Sequence, residues 1–343
     1  ALAAVATGES VYRERALPGA ILTRIAASHI RVGTFQFFAA RQRWDQVRQL
    51  ADYVIERHDP HLSSDDDRYL LLLKAVAQRQ AVLVAKWMLI GFIHGVMNTD
   101  NMAISGETID YGPCAYMESF SPHAVFSSID QLGRYAYENQ PQIARWNLAR
   151  FAETLIPLID EDDPEGAIPK VEAIINGFIP RYEELWLSGA QVKLGLDDLT
   201  ADIDGDKSLV QDWLDLLEEH SVDYTLAWRR LADAADGNSE SLEALFPSTE
   251  ILSVWLERWY QRIARQSAAA TAARMRSVNP IYIPRNHLVE EALAAATNDA
   301  DIEPFVRLLA VIAHPYDERA ELASYTQPAS QDFTACYKTF CGT

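Results

Sequence analysis

The residues best equipped for chemistry lie in one stretch, His94-Gly-Val-Met-Asn-Thr-Asp-Asn101, followed by Ile104-Ser-Gly-Glu-Thr-Ile-Asp-Tyr-Gly112. An apolar segment delivers a His-Gly turn, an Asp-Asn pair comes next, and an Asp-Tyr-Gly follows across a second turn. Transfer of a phosphate-bearing group needs hard oxygen ligands for magnesium. It needs few of them, because magnesium keeps several waters and also takes phosphate oxygens. The amide of Asn101 and the carboxylate of Asp110, at opposite ends of a tight hairpin, would supply that set. The plainer alternative is a polar loop with capping aspartates.

Protein kinases assemble the same parts as His-Arg-Asp-x4-Asn followed by Asp-Phe-Gly. With Asn101 set on the metal-binding Asn, His94 falls on the kinase His and Asp110-Tyr-Gly112 on Asp-Phe-Gly. Val96 then falls on the catalytic Asp. A valine can neither accept a proton nor orient a hydroxyl. The site is therefore either without chemistry or served by Asp100 in place of the missing acid.

The elements that must position these residues read as mostly helical. Residues 42–58 place Trp44, Val47, Leu50, Ala51 and Val54 on one helical face, and Pro60 ends the run. The acceptors at 63–67 open a long apolar helix over residues 68–91. Two short strands, 102–104 and 108–109, are expected to pair across Ser105-Gly106-Glu107 as the catalytic hairpin. Residues 111–139 lack periodicity and read as a long functional loop. Past Pro141 the pattern is helical nearly to the end, with Ile143, Trp146, Leu148 and Phe151 expected to bury the first helix. Leu252, Trp255, Leu256, Trp259 and Ile263 mark a core-facing helix. Upstream, Pro18-Gly19 marks a turn, residues 20–29 suit a short helix, and residues 30–38 look strand-like. Residues 160–165 and 196–206 read as exposed acidic connectors.

Composition narrows the function. The 343 residues are 49% hydrophobic, enough for a sizeable core. A net charge of −19 speaks against nucleic acid and against anionic membranes as partners. The longest apolar segment, residues 81–93, is interrupted by Lys86 and too short to span a bilayer. Three cysteines, Cys114, Cys336 and Cys341, form no CxxC and no full disulfide framework, which points to a reducing, cytoplasmic compartment. Asp202-Ile-Asp204-Gly-Asp206 has its Gly at the fourth position rather than the sixth and Trp213 at the twelfth, so it reads as a helix cap and not a calcium loop.

The long motifs resemble the selenoprotein O family. The resemblance rests on His94–Met102, on Gly106-Glu-Thr-Ile-Asp-Tyr-Gly-Pro113 and on Arg24-Ile-Ala-Ala-Ser-His-Ile-Arg-Val-Gly-Thr-Phe35. It also rests on Asn279-Pro280 with Ile283-Pro-Arg-Asn-His287, and on the tail from Tyr337 to Thr343. It implies a kinase-like protein adenylyltransferase that binds ATP in a flipped orientation and moves AMP onto Ser, Thr or Tyr hydroxyls of proteins, redox proteins among them, with release of pyrophosphate. It further implies Asp100 as the proton acceptor, Asn101 and Asp110 as ligands of Mg2+ (or Mn2+), and Asp110 also against the nucleotide. Arg24 and Arg31 would contact the nucleotide, and Cys341 would be a redox-responsive thiol that pairs with Cys336 or Cys114.

The expected fold is mainly α: a protein kinase-like C-lobe with a short catalytic β-hairpin and a C-terminal helical extension. Residues 1–40 would be the remnant of a nucleotide-binding lobe, 41–159 the catalytic lobe, and 160–343 the extension. The family's glycine-rich phosphate loop is not found in the sequence, so the chain is expected to be a fragment inactive by itself. Two other functions share these residues: ordinary phosphoryl transfer, and a catalytically dead pseudokinase scaffold favoured by Val96.

Overall fold

A computed structural model describes residues 3–12, 16–196 and 202–340. Strands β1 (Ala3–Tyr12) and β2 (Ala16–Thr23) pair as an antiparallel ribbon, exposed at every position except Gly19. Helices α1 (Val32–Ala39), α2 (Trp44–His58) and α3 (Arg68–Leu89) follow. Strands β3 (Phe92–Ile93) and β4 (Ala115–Tyr116) pair across the loops between them. The rest is helical: α4 (Gln140–Ile159), α5 (Pro164–Lys193), α6 (Ile203–Glu219), α7 (Tyr224–Ala235), α8 (Glu240–Glu243) and α9 (Thr249–Ile263). Then come α10 (Ala268–Val278), α11 (Asn286–Asn298), α12 (Glu303–Ile312) and α13 (Gln331–Cys336). The protein is mainly α. No helix among the described residues is long and apolar enough to cross a membrane.

Several sequence expectations hold. α2 buries Val47, Ala51 and Val54 and stops before Pro60. α9 buries all five residues of its stripe. The Asp202 carboxylate caps α6 by accepting from the Gly205 amide at 3.0 Å.

Others are corrected. Residues 30–38 form no strand. Val32 and Phe35, a helical step apart, both lie in the core, and Phe35 meets Phe151 edge-on at 4.9 Å. Thr34 Oγ1 accepts the Arg31 amide at 3.2 Å and fixes the start of α1. Aromatic and β-branched composition suggested a strand, but the spacing of the apolar residues decides for a helix. Pro18-Gly19 lies inside β2 rather than at a turn, and residues 20–23 continue that strand. The hairpin expected at 102–109 does not form. Ala103 bridges Arg31 instead, with Val32 N donating to Met102 O and Ile104 N to Ile30 O, both at 3.0 Å. Only the turn survives, with Gly106 N donating to Ala103 O. Trp146 is 41% exposed, stacked under Arg134 and Arg150 rather than buried. Asp206 is no exposed connector: it is 1% exposed and binds Arg262 at 2.7 Å. Part of that connector, residues 197–201, lies outside the described residues.

Candidate active site

The site is built at the end of α3. The carbonyls there are held by three side chains: Tyr224 Oη donates to Met88 O at 2.9 Å, Tyr137 Oη to the same carbonyl at 2.5 Å, and Lys193 Nζ to Leu89 O at 2.5 Å. Burial drives the Lys193 amine down to about 7. The negative end of α3 and the faces of Trp228 and Tyr224, 4.7 and 5.6 Å from Nζ, favour its charge. Gly91 then turns the chain at φ +70, where a Cβ would meet the Tyr224 ring at 3.0 Å. β3 leads straight to His94.

His94 is fully buried. Gln140 Oε1 accepts its amide at 3.0 Å, Ile109 O lies 2.9 Å from Nε2, and Val96 N lies 3.4 Å from Nδ1. A carbonyl can only accept and an amide can only donate, so this network calls for the neutral ring with its proton on Nε2. Burial also lowers the His94 pKa, in agreement. The ring thereby anchors the carbonyl just before Asp110. Asp110 itself sits at φ +57, a left-handed conformation that a short polar residue tolerates better than most.

The Asp110 carboxylate is gripped by two arginines far away in sequence, Arg24 through Oδ1 and Arg31 through Oδ2, the latter at 3.0 Å. All three side chains are partly open to solvent. Arg31 stands at the start of α1, and Asp100 meets that same turn: a Cβ on Gly33 would lie 2.0 Å from Asp100 Oδ1. Asn98 Oδ1 accepts the Asp100 amide at 3.0 Å, and Asn101 Nδ2 donates to Val96 O at 2.8 Å. Val96, opposite the kinase catalytic Asp in the motif comparison, is 4% exposed and contributes only backbone groups, its carbonyl to Asn101 and its amide to His94 Nδ1.

The structure thus gathers Arg24, Arg31, Asp100 and Asp110 around the start of α1, with Asn101 beside Asp100 in the chain. Sequence reading missed the residues that hold them there. Glu107 Oε2 accepts the Ala27 amide at 2.9 Å, and Arg57 donates twice to the Ala27 carbonyl at 2.8 and 2.6 Å. Together they fix the segment that carries both arginines. Gly33 belongs to the motif from Arg24 to Phe35, but its need to lack a side chain appears only once Asp100 lies over it.

Downstream of Asp110 the chain is fastened by distant residues. Asn286 pairs with both backbone groups of Tyr116, at 3.0 and 2.7 Å. Thr339 Oγ1 donates to Pro113 O at 2.6 Å, and that carbonyl would lie 2.4 Å from a Cβ on Gly95. Arg285, wholly buried, ties Glu118 to Asp223. The motif around Ile283-Pro-Arg-Asn-His287 therefore supports the site from behind. Cys114 and Cys336 are free thiols. Burial pushes the Cys114 thiol up to about 11, which keeps it protonated at neutral pH. Cys341 lies outside the described residues.

Among the described residues no group of three His, Cys, Asp or Glu side chains could hold a metal by itself. The donors that the sequence reading assigned, Asn101 and Asp110, are hard oxygens. They suit magnesium in the company of phosphate rather than a closed all-protein cage.

A neutral buried His sets an Asp beside two arginines on a mainly helical frame, and comparison with known proteins gives the class as nucleotidyltransferase. The family model described as "Protein adenylyltransferase SelO" matches residues 1–313. The "Protein nucleotidyltransferase YdiU" of Chromobacterium violaceum is 57% identical over 345 residues, covering 100% of this chain and 72% of that protein. The protein of the same name in Rhizobium etli strain CIAT 652 is 52% identical over 347 residues and is covered over 68% of its length. The one in Cereibacter sphaeroides ATCC 17029 is 54% identical over 344 residues and is covered over 69%. This chain belongs to the SelO family.

Proposed function

We propose that the chain serves protein adenylylation, the transfer of AMP from ATP to Ser, Thr or Tyr hydroxyls of other proteins, on a kinase-like helical lobe. The observation that carries this reading is the double grip of Arg24 and Arg31 on Asp110, beside Asp100. Two guanidinium groups on one carboxylate leave a net positive charge, and their planar forks suit phosphate oxygens as well as carboxylate. On nucleotide entry the arginines exchange Asp110 for phosphates of ATP, and Asp110 is released to work beside Asn101.

Asp100 accepts the proton of the incoming hydroxyl. The hydroxyl oxygen forms its bond to the α-phosphorus as the bond to the bridging oxygen breaks, and pyrophosphate leaves with that electron pair. Arg24 and Arg31 offset the charge that accumulates on the leaving group. Held by Asn101 and Asp110, Mg2+ or Mn2+ would supply further charge neutralisation at the phosphates. His94 moves no proton in this scheme; it holds Ile109 O and so aims Asp110.

A second reading, a pseudokinase scaffold, is favoured by the burial of Val96 and by the engagement of both Asp110 oxygens. The test uses full-length protein and ATP labelled at the α- or the γ-phosphate. Label from α alone, lost on Asp110→Ala, is the expected result. Label from γ alone would make the protein a conventional kinase. No label from either would leave the scaffold.

A further inference from the structure

α3 and α5 touch at Gln78 with Arg181, 3.0 Å apart, and again at Leu89 with Lys193. Both contacts ascend both helices, so the two run side by side in the same direction. Around the first contact lies an open groove of about 470 Å³, lined by Leu70, Leu71 and Ala77 from one helix and Ile174, Gly177 and Phe178 from the other. Its lining is predominantly apolar. A Cβ added to Gly177 would meet nothing within 4 Å, so the cavity opens directly onto that backbone.

Its rim is the unusual part. The chain has 49 acidic against 30 basic residues and only six lysines. Two of those lysines, Lys74 and Lys170, stand at this cavity with Arg181. Arg181 is paired with Glu184 at 2.6 Å. Lys74 and Lys170 are exposed and have no carboxylate partner among the described residues. An apolar slot rimmed by unpaired cations, on a strongly acidic molecule, selects a ligand with an anionic head and an apolar tail. The volume lies in the range of small-molecule sites. The stretch from Leu70 to Ala81 is about 16 Å long at 1.5 Å per residue.

We propose that the cleft between α3 and α5 binds a single-chain anionic amphiphile of the fatty-acid type, its chain in the slot and its carboxylate at Lys74 and Lys170. α3 runs from this cleft directly to the turn that carries His94, so an occupied cleft sits on the element that aims the candidate active site.

The test is calorimetric binding of octanoate, decanoate and dodecanoate to full-length protein, each below its micellar concentration, with dodecanol as the uncharged control. Burial of the chain tightens affinity about tenfold for every two methylenes. The double variant Lys74→Glu/Lys170→Glu weakens dodecanoate about tenfold and leaves dodecanol unchanged. Gly177→Leu fills the slot and abolishes binding of both. It does so without lowering Tm, because leucine is the better helix former at an exposed helical site. Should Gly177→Leu lower Tm, the charge reversal at two exposed lysines still decides. The proposal falls if no dodecanoate binds at millimolar concentration, if neither variant changes its binding, or if binding appears only with anionic vesicles.

Discussion

Two arginine–carboxylate clusters in this molecule use the same chemistry in opposite surroundings. Around Asp110, two arginines share one carboxylate with 26–36% of each side chain open to water. Around Arg285, one guanidinium holds two carboxylates, Glu118 and Asp223, and that arginine is 0% exposed. The first carries surplus positive charge at a solvent-facing site. Its pairs are individually weak, on the order of 0–1 kcal/mol, so a phosphate can displace them. The second carries surplus negative charge in a buried site, and nothing from solvent can exchange with it. Burial, not residue type, decides which cluster is available for function and which is a fastening.

Breaking the buried cluster should have the largest effect. Arg285→Met leaves two buried carboxylates facing each other and should lower stability by about 3–5 kcal/mol, read by chemical denaturation. The triple variant Arg285→Met/Glu118→Gln/Asp223→Asn removes the charges together and should recover most of that loss. If Arg285→Met unfolds no more easily than the parent, the cluster is not a fastening.

At the exposed cluster the signs reverse, with large effects on transfer and small ones on stability. Asp110→Asn should reduce label transfer by about a hundredfold or more, on the scale of a lost charge-stabilising group, while stability moves by less than about 1 kcal/mol. Arg31→Ala should cost about 10–100-fold in kcat/KM for ATP, the worth of one charge-assisted contact. A similar Tm in both variants, measured beside activity, separates the two clusters cleanly.

The smallest effect is a pH dependence that sharpens the contrast. Burial raises the Glu118 pKa above its ordinary 4.5, outweighing the attraction of Arg285. The folded state therefore holds its proton at pH values where the unfolded chain has lost it. Stability contributed by that proton is present below pH 4.5 and is lost as pH rises through the raised folded value. Glu118→Gln cannot titrate, so its stability relative to the parent should rise between pH 4 and pH 8, by about 1.4 kcal/mol for each tenfold gain in proton affinity that burial gives Glu118. Paired denaturation curves at those two values provide the check; a flat difference would mean that Glu118 is ionised throughout.

Much of this was legible in the chain itself. The stripe Leu252, Trp255, Leu256, Trp259 and Ile263 determined a buried helix face because helical period and hydrophobicity agree over about three turns. The Pro at position 60 marked where α2 stops, since proline chemistry is local; α3 starts at Arg68 as expected, but no side chain of the acceptor cluster caps it. The spacing from His94 to Asn101 and Asp110 picked out the candidate site because a metal-and-phosphate loop must keep its donors in order along the chain.

What lay beyond the sequence was decided by partners far away in it. Residues 102–104 pair with 30–32, not with 108–109, because a two-stranded hairpin is weak alone and the backbone of 30–32 offered hydrogen bonds beside a packed core. Residues 32–39 are helical, with Phe35 packed on the distant Phe151. Arg24 and Arg31 reach Asp110 across more than 75 residues, and Arg285 reaches Glu118 across 167. Local propensity and periodicity are properties of neighbouring residues, so the sequence determined helix faces, caps and the order of the candidate donors. Charge pairing and burial are properties of neighbours in space, so only the tertiary structure decided which arginines face water and which are sealed in.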